Sequence, residues 1–291
     1  MSAPQPCATV LGPTWSEMSG TLPFGAFAPS GTVRWVLERT RAMPNTWLGH
    51  RLVFLLRRLA IRRLRGAPVD VETFGARMRL HPYNNVCEKR VLFSPQLFDR
   101  REREILRSRF REGFTFIDIG ANIGAYSLFV AGAAGPSAQI LAVEPQPDIF
   151  DRLTYNIRLN PFGTVKAVDC AVADKPGELT LFLDARNSGE SSVKIVGSGQ
   201  AGTVRVPATT LLALMQAEGI GRLDAIKLDV EGAEDLILEP FFREAPQSLH
   251  PALIIVEDGT ERWQIDLPRL LEENGYRLLD RTRLNLVYER A

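Results

Sequence analysis

The chain has few cysteines, a balanced charge and no long hydrophobic stretch, and each shortage excludes a class of protein. Its 291 residues include only three cysteines, which match no metal-binding or disulfide spacing, so we expect a reducing, cytoplasmic compartment. No apolar run approaches the ~20 residues of a membrane-spanning helix, and the N-terminus lacks the pattern of a secretory signal. The net charge of +1 gives no general attraction to nucleic acid, which we do not expect as a partner.

The most informative segment that is present begins at Phe116. An apolar stretch contains Asp118 near its end, a glycine-rich turn follows from Gly120 to Gly124, and an apolar helix pattern begins. A strand, a tight turn and a helix start in this order are typical of a cofactor site in an α/β sheet. The dinucleotide fingerprint needs a second glycine to admit a pyrophosphate, and Asn122 stands there instead. The acid before the turn is a poor phosphate neighbour and better suits the amino-acid end of S-adenosylmethionine.

A second strand ends in an acid at the spacing of a nucleoside site. The apolar stretch from Ile140 is followed by Glu144, about 24 residues after Gly120 and near the spacing of the ribose-binding acid in such folds. A carboxylate accepts strong hydrogen bonds from ribose hydroxyls, and Pro145 stiffens the turn that follows. The alternative is that Glu144 is only a polar strand end. The two strand ends in this order favour a nucleoside site.

The motifs FIDIGANIGAYS, VEP and DAIKLDVEGAE together resemble the FkbM family of S-adenosylmethionine-dependent methyltransferases. The resemblance extends from Val69 to Tyr288 and includes a Gly-x-Ser-Ser-like segment at 189–192. It implies an α/β, Rossmann-like class I methyltransferase fold with a seven-stranded, mostly parallel sheet and helices on both faces. It also implies S-adenosylmethionine as the cofactor. One departure is Glu239-Pro240, near which the family often has a glycine.

The strand ends and the resemblance together predict a donor site. We expect the turn to hold the methionine end of the donor, Glu144 to hold the ribose, and the end of the third core strand to face the adenine. Packing in the helix is an equally supported role for Tyr126. The predicted donor-binding residues are Asp118, Gly120, Ala121, Asn122, Gly124, Tyr126, Glu144, Pro145, Asp169 and Ala171.

Three further acids at strand ends, Asp229, Glu231 and Glu257, are the candidate general bases for deprotonating a hydroxyl acceptor. Neighbouring acids are costly unless paired, hydrated or used, and Lys227 shares a strand face with Asp229 and is a potential partner. Alternatively Glu231 and Glu234 charge the first turn of the next helix, an interpretation we accept for Glu234. The acids could also bind a divalent cation, but we favour a metal-free base. We interpret the three histidines as structural.

Strands and helices alternate from residue 114 onward, as in a parallel sheet covered by helices. The predicted strands are 114–119, 139–144, 164–170, 224–229, 252–257, 276–280 and 284–289. The predicted helices are 124–133, 147–159, 208–217, 232–238 and 266–274. Other predicted segments are a hairpin at 69–80, a crossing over the sheet edge at 88–98, a helix at 100–110 and a Gly/Ser-rich loop at 187–202, which the family resemblance implies is a lid or lies on the acceptor side.

We predict a methyltransferase domain at 67–291 and an N-terminal extension at 1–66. Residues 1–30 are rich in Pro, Gly, Ser and Thr, which predicts disorder or order gained by docking. Helices are predicted at 31–43 and 45–65, the second capped by Asn45, basic and amphipathic. Such a helix can lie on an anionic membrane surface. We favour a docking helix whose arginines face water or acids of the main domain.

These observations predict an S-adenosylmethionine-dependent O-methyltransferase acting on a hydroxyl of a sugar, glycan or small metabolite. One alternative is a non-catalytic, donor-binding scaffold attached to a membrane or partner. A less favoured one is an NAD-dependent reductase, which the missing glycine argues against. Peripheral contact with the inner membrane surface through the 45–65 helix stays open, and the sequence defines neither acceptor nor oligomeric state.

Overall fold

The chain begins with two helices and a hairpin. A computed structural model describes residues 22–184, 191–192 and 200–291, so most of the Gly/Ser-rich loop lies outside the described residues. The first elements are α1 (Gly31–Arg41), α2 (Trp47–Leu64), β1 (Val69–Thr73) and β2 (Ala76–Leu80). The strands pair antiparallel, as predicted. Helix α2 is capped by Thr46 rather than Asn45, because the Thr46 hydroxyl accepts a hydrogen bond from the Gly49 amide at 3.1 Å.

The segment 22–30 is ordered by docking on the hairpin. The amides of Gly25 and Phe27 donate to the Asp70 carboxylate at 2.8 and 3.1 Å. Arg79 forms a buried ion pair with the same carboxylate at 2.7 Å and donates to the carbonyls of the first two described residues. A buried ion pair is favourable only when its remaining groups are satisfied, which this segment achieves. Residues 22–30 thus pack against the hairpin in the structure.

A short helix occupies much of the segment predicted only as a crossing. Helix α3 (Val86–Phe93) begins at Asn85, whose side chain accepts a hydrogen bond from the Glu88 amide at 3.0 Å. Helix α4 (Arg100–Arg107) follows and ends before the predicted boundary. Eight residues give too little periodicity to mark α3 as a helix in the sequence.

The remaining elements carry the central sheet. They are β3 (Thr115–Ile119), α5 (Ala125–Ala133), β4 (Gln139–Val143), α6 (Pro147–Arg158), β5 (Val165–Val168), β6 (Ala171–Val172), β7 (Gly177–Asp184), β8 (Ser191–Ser192), β9 (Gln200–Thr209), α7 (Leu211–Ala217), β10 (Ala225–Leu228), α8 (Glu234–Glu244), β11 (Leu253–Glu257), α9 (Leu267–Glu273), β12 (Tyr276–Arg281) and β13 (Asn285–Arg290). Helix α8 continues through Pro240, beyond its predicted end at 238.

The central sheet has seven strands in the order β12-β13-β11-β10-β3-β4-β5. Strand β13 runs antiparallel to both neighbours and the other pairs are parallel, which confirms the predicted fold. A smaller sheet pairs β7 with β9 next to it. No helix in the described part of the chain is long and apolar enough to cross a membrane.

Core side chains cover both faces of the sheet. Phe116 packs on the side of α5 and α6, whereas Ile117 and Ile119 pack on the side of α7, α8 and α9. Because side chains alternate along a strand, Asp118 points toward α5. The parallel strands bring the residues that follow β3, β4, β10 and β11 to one edge, where ligands of such sheets bind.

Candidate active site

A cavity of about 870 Å³ opens at the carboxyl ends of the central strands. It falls within the size range of small-molecule and cofactor sites. One side, here called the acidic floor, is formed by Asp118, Glu144, Asp229, Glu231 and Glu257. The opposite side, here called the helical wall, includes His50, Val53, Phe54 and Arg57 of α2. The cavity therefore lies between the sheet edge and the N-terminal extension.

The turn after β3 requires a glycine at 120. Gly120 has a φ of 75°, and a Cβ there would lie 2.0 Å from the Asp229 carbonyl oxygen. The close backbone approach is thus to the end of β10. Asn122 also adopts a positive φ of 51°, and its side-chain oxygen accepts a hydrogen bond from the Asn85 amide group at 2.9 Å. A Cβ at Gly124 would meet Leu153 of α6 at 2.8 Å, so this glycine permits α5 and α6 to pack closely.

Asp118 is buried and holds the first turns of α5. Its carboxylate accepts hydrogen bonds from the Ser127 amide at 3.1 Å and the Ser127 hydroxyl at 2.6 Å. Burial raises the pKa of Asp118, and Lys227 opposes this shift. The carboxylate also lines the cavity. This carboxylate can accept a further hydrogen bond from a donor molecule, and that contact stays a prediction.

Glu144 joins the two predicted donor motifs. Its two carboxylate oxygens accept hydrogen bonds from the amides of Asn122 at 2.9 Å and Gln146 at 3.0 Å. Burial raises the pKa of Glu144 to about 7, although both amides oppose the shift. Each carboxylate oxygen retains a second lone pair. The side chain therefore fits two ribose hydroxyls approaching from the cavity.

Lys227 occupies the centre of the acidic floor. Its Nζ lies 2.7 Å from Asp229 Oδ2, which confirms the predicted pairing, and 5.0 Å from the centre of the Tyr126 ring. Strand register places it opposite Asp118. Burial opposes its charge, but the attraction of Asp229 and Asp118 raises the pKa of Lys227. Tyr126 itself packs against Phe98 and also lines the cavity.

Two of the three candidate bases share an arginine that sequence reasoning missed. Arg262 donates to Glu231 Oε2 at 3.2 Å and to Glu257 Oε2 at 2.7 Å. Burial and the nearby Asp229 raise the pKa of Glu257 to about 7, while Arg262 opposes this shift. In the sequence, Gly232 is the one nearby residue that could have indicated this contact. The structure requires a glycine there, because a Cβ would lie 2.7 Å from the Arg262 side chain.

Only some of the other predicted donor-binding residues line the cavity. Ala121 and Ala171 line the cavity, whereas Gly124, Pro145 and the exposed Asp169 are not among its lining residues. Their roles in donor binding stay predictions. No group of three or more His, Cys, Asp or Glu side chains within 22–182 and 202–291 is arranged to hold a metal ion.

The residues interpreted as structural separate into two kinds. Glu234 is fully buried and accepts hydrogen bonds from the Val230 amide at 3.1 Å and the Trp263 indole at 2.7 Å, so it organises the start of α8. His81 is buried, and burial lowers its pKa to about 3. His50 instead lines the helical wall, where its ring contacts Asn45 at 2.8 Å.

The doubly covered parallel sheet and the acid-lined site at its edge define a Rossmann-like methyltransferase. The family model for the methyltransferase FkbM domain matches residues 118–278, more than half of the chain. The chain belongs to the FkbM methyltransferase family. It is therefore an S-adenosylmethionine-dependent methyltransferase, which confirms the predicted enzyme class and cofactor.

The chain is also similar to individual known proteins. Over 190 residues the chain is 30% identical to methyltransferase sdnD of Sordaria araneosa, covering 55% of this chain and 72% of that protein. Over 207 residues it is 25% identical to the hexuronic acid methyltransferase AglP of Haloferax volcanii, covering 70% and 79%. Among solved structures, M. jannaschii TYW2 in complex with AdoMet is 14% identical with a TM-score of 0.40, covering 77% of this chain and 87% of that one.

Proposed function

We propose that this enzyme transfers a methyl group from S-adenosylmethionine to a hydroxyl oxygen of a sugar or glycan. The observation that carries the proposal is the cluster of carboxylates on the acidic floor, in which Glu257 has a pKa raised to about 7. A general base is most effective when its pKa lies near the working pH. The donor, when bound, supplies an activated methyl group, so the protein has to orient the acceptor and remove its proton.

In this proposal each part of the floor has a separate task. Glu144 holds the ribose, and Asp118 with the turn at 120–124 holds the methionine end. The adenine lies near Ala171, with Asp169 and Pro145 at the margin of that site. The extension at 1–66 supplies the helical wall to a methyltransferase domain at 67–291.

Glu257 is the proton acceptor in the reaction that we propose. It takes the hydroxyl proton as the acceptor oxygen forms its new bond to the methyl carbon, while the bond from that carbon to the donor sulfur breaks and S-adenosylhomocysteine is the leaving group. Arg262 positions Glu257 by bonding one oxygen, and Glu231 holds the other side of the same guanidinium. Asp229, paired with Lys227, faces the cationic centre of the donor.

The acceptor that we propose is an acidic sugar. The relative AglP is named for a hexuronic acid. On the helical wall, Arg57 is half-buried, and no carboxylate in the described part of the chain forms an ion pair with it. Burial and the neighbouring Arg58 lower its pKa. A carboxylate on the acceptor would supply the missing counter-charge, and an Arg–carboxylate pair can be bidentate.

A location and one excluded partner complete the proposal. The enzyme works in the cytoplasm, in keeping with the free thiols of Cys87 and Cys170. It does not act on nucleic acid. Turnover of an acidic oligosaccharide would reject the alternative of a non-catalytic scaffold.

Calorimetric titration with S-adenosylmethionine tests the donor assignment. Glu144→Ala is expected to weaken binding about tenfold or more, because charge-assisted hydrogen bonds to the ribose are lost. Asp148→Ala, an exposed acid on the adjacent α6, is the matched control and should bind like the wild type. Equal affinities of the two variants would remove the ribose assignment, and tight binding of NADH would favour the reductase.

A further inference from the structure

Helix α2 carries a second apolar stripe that faces solvent. Its members Leu48, Leu52, Leu55 and Leu59 are 64, 46, 60 and 39% exposed. They follow a spacing of four, three and four residues, which places them along one side of a helix. We call them the leucine stripe. Single exposed leucines are ordinary, but a continuous stripe marks an interaction surface.

The opposite side of α2 already has a partner within the chain. Val53 and Ala60 are 8 and 0% exposed and belong to the core formed with the hairpin and α3. The sequence-based interpretation of a docking helix therefore accounts for this buried side. It does not account for the leucine stripe or for Trp47, which is 67% exposed.

The charge of α2 indicates what could cover the leucine stripe. The helix contains five arginines and no acidic residue, and none of the five forms an ion pair with any part of the chain that the structure describes. Three of them lie over exposed aromatic rings, Arg51 over Trp47 at 4.8 Å, and Arg57 and Arg58 over Phe54 at 5.1 and 4.4 Å. The occupant must therefore be apolar at its centre and anionic around it.

An anionic bilayer meets both requirements and a second copy of the chain does not. Two α2 helices packed through their leucine stripes would bring ten arginines together without a counter-charge. A membrane interface offers acyl chains to the leucines and headgroup phosphates to the arginines, and tryptophan is favoured at that depth. Each arginine near such a surface strengthens binding by about fivefold at physiological ionic strength.

We propose that α2 docks the enzyme on an anionic lipid surface through the leucine stripe, with Arg51, Arg58 and Arg62 at the headgroups. Phe54 and Arg57 of the same helix line the cavity, so docking places the cavity beside the bilayer. This consequence for the acceptor rests on the proposed function, whereas membrane binding itself does not.

Vesicle flotation of the full chain tests the proposal. One set of vesicles contains phosphatidylcholine and phosphatidylglycerol in equal parts, and the other contains phosphatidylcholine alone. The wild type is expected to bind the anionic vesicles at least about tenfold more strongly, and added salt should weaken the binding. The double variant Leu48→Ser/Leu55→Ser and the triple variant Arg51→Gln/Arg58→Gln/Arg62→Gln should each lose about tenfold or more of this binding.

Leu278→Ser is the matched control, because Leu278 is 48% exposed on β12, away from α2. It should float like the wild type. Equal binding of the wild type to both vesicles, or full binding by the double variant, would overturn the proposal. So would a wild-type dimer that the double variant converts to a monomer, since the occupant would then be a second copy. Calorimetry with S-adenosylmethionine should be unchanged in the double variant, which separates this outcome from a failure of the proposed function.

Discussion

The acidic floor and the helical wall meet the same cavity but are built in opposite ways. On the floor, groups of the protein itself satisfy the charged side chains. Glu144 accepts hydrogen bonds from two backbone amides. Lys227 pairs with Asp229, and Arg262 bridges Glu231 and Glu257. On the wall, the guanidinium of Arg57 has no ion-pair partner among the residues that the structure describes. The floor is thus arranged before any ligand binds, whereas the wall leaves a charge for a ligand to complete.

Removing the central cation of the floor should have the largest effect. Lys227→Met leaves the buried Asp118 and the neighbouring Asp229 without their counter-charge, and breaking such a pair is strongly destabilising. We expect a loss of about 3 kcal/mol in the free energy of unfolding, at the low end of that range because Asp229 is 41% exposed and water screens it. Chemical denaturation measures the change.

Lys166→Met is the matched control for this experiment. Lys166 pairs with Glu218 at 2.7 Å, but its side chain is 65% exposed. Such a surface pair contributes at most about 1 kcal/mol. Similar losses in the two variants would contradict the view that the floor depends on internal neutralisation.

The same comparison explains which parts of the site the sequence revealed. The floor is made by local signals: apolar strands, a positive-φ turn and acids at strand ends lie within a few residues of each other. Lys227 and Asp229 could be paired because side chains two residues apart share a strand face. The order and direction of the seven strands came from the family resemblance, and the alternating pattern alone gave only a parallel sheet.

The helical wall and the contacts of Arg262 with Glu231 and Glu257 could not be predicted from the sequence, for a physical reason. Arg262 follows β11 in an irregular segment, and only folding brings it to Glu231. Arg57 and His50 reach the cavity from a helix that precedes the sheet by about 50 residues or more. Nothing in the local pattern of α2 separates an arginine that faces a cavity from one that faces water. Asp169 shows that the position of an acid at a strand end does not by itself predict burial, since this side chain is exposed.

The rigidity of the floor can be tested at its tightest backbone contact. Gly120→Ala places a Cβ 2.0 Å from the Asp229 carbonyl oxygen in a left-handed conformation. We expect a loss of about 3 kcal/mol in unfolding free energy, combining backbone strain with the displacement of β10. Gly135→Ala has the same strain at a φ of +91° but no atom within 4 Å, so it should lose only about 1 kcal/mol. Equal losses would show that the contact can relax.

The chemical role of the floor predicts a pH dependence. With a pKa raised to about 7, Glu257 is protonated below neutrality and cannot accept the hydroxyl proton. Activity should therefore rise with pH through about 7. Glu257→Gln should lower kcat by about 100-fold and abolish this rise. Initial rates of methyl transfer over a pH series measure both effects.

Two controls locate the base within the acid cluster. Glu231→Gln weakens one of the two contacts that hold Arg262 in place. We therefore expect a smaller loss of kcat, about tenfold, and the rise of activity with pH should be retained. Glu261→Gln changes an exposed acid in the same segment and should behave like the wild type. If the pH profile of Glu257→Gln is unchanged, Glu257 is not the base, and Asp229 becomes the candidate for that role.

The smallest effect is expected on the helical wall, where it tests the acceptor. Arg57→Gln removes the charge that faces the cavity and should raise the KM for a glucuronate-terminated oligosaccharide about tenfold, the value of one partly exposed charge-assisted hydrogen bond. The kcat should stay near the wild-type value, because Arg57 does not take part in proton removal. The KM for the glucose-terminated counterpart should not change.

Arg58→Gln makes this prediction selective. Arg58 lies over the same Phe54 ring, at 4.4 Å, as Arg57 does at 5.1 Å, but Arg58 is exposed and does not line the cavity. Both substitutions remove one positive charge from α2, so any general electrostatic attraction of the acceptor falls equally in the two variants. Only a direct contact distinguishes them. If both substitutions raise the KM alike, the wall does not recognise the acceptor's charge. The same conclusion follows if Arg57→Gln raises the KM for the acidic and the neutral acceptor by the same factor. The difference between the two sides of the cavity is then structural.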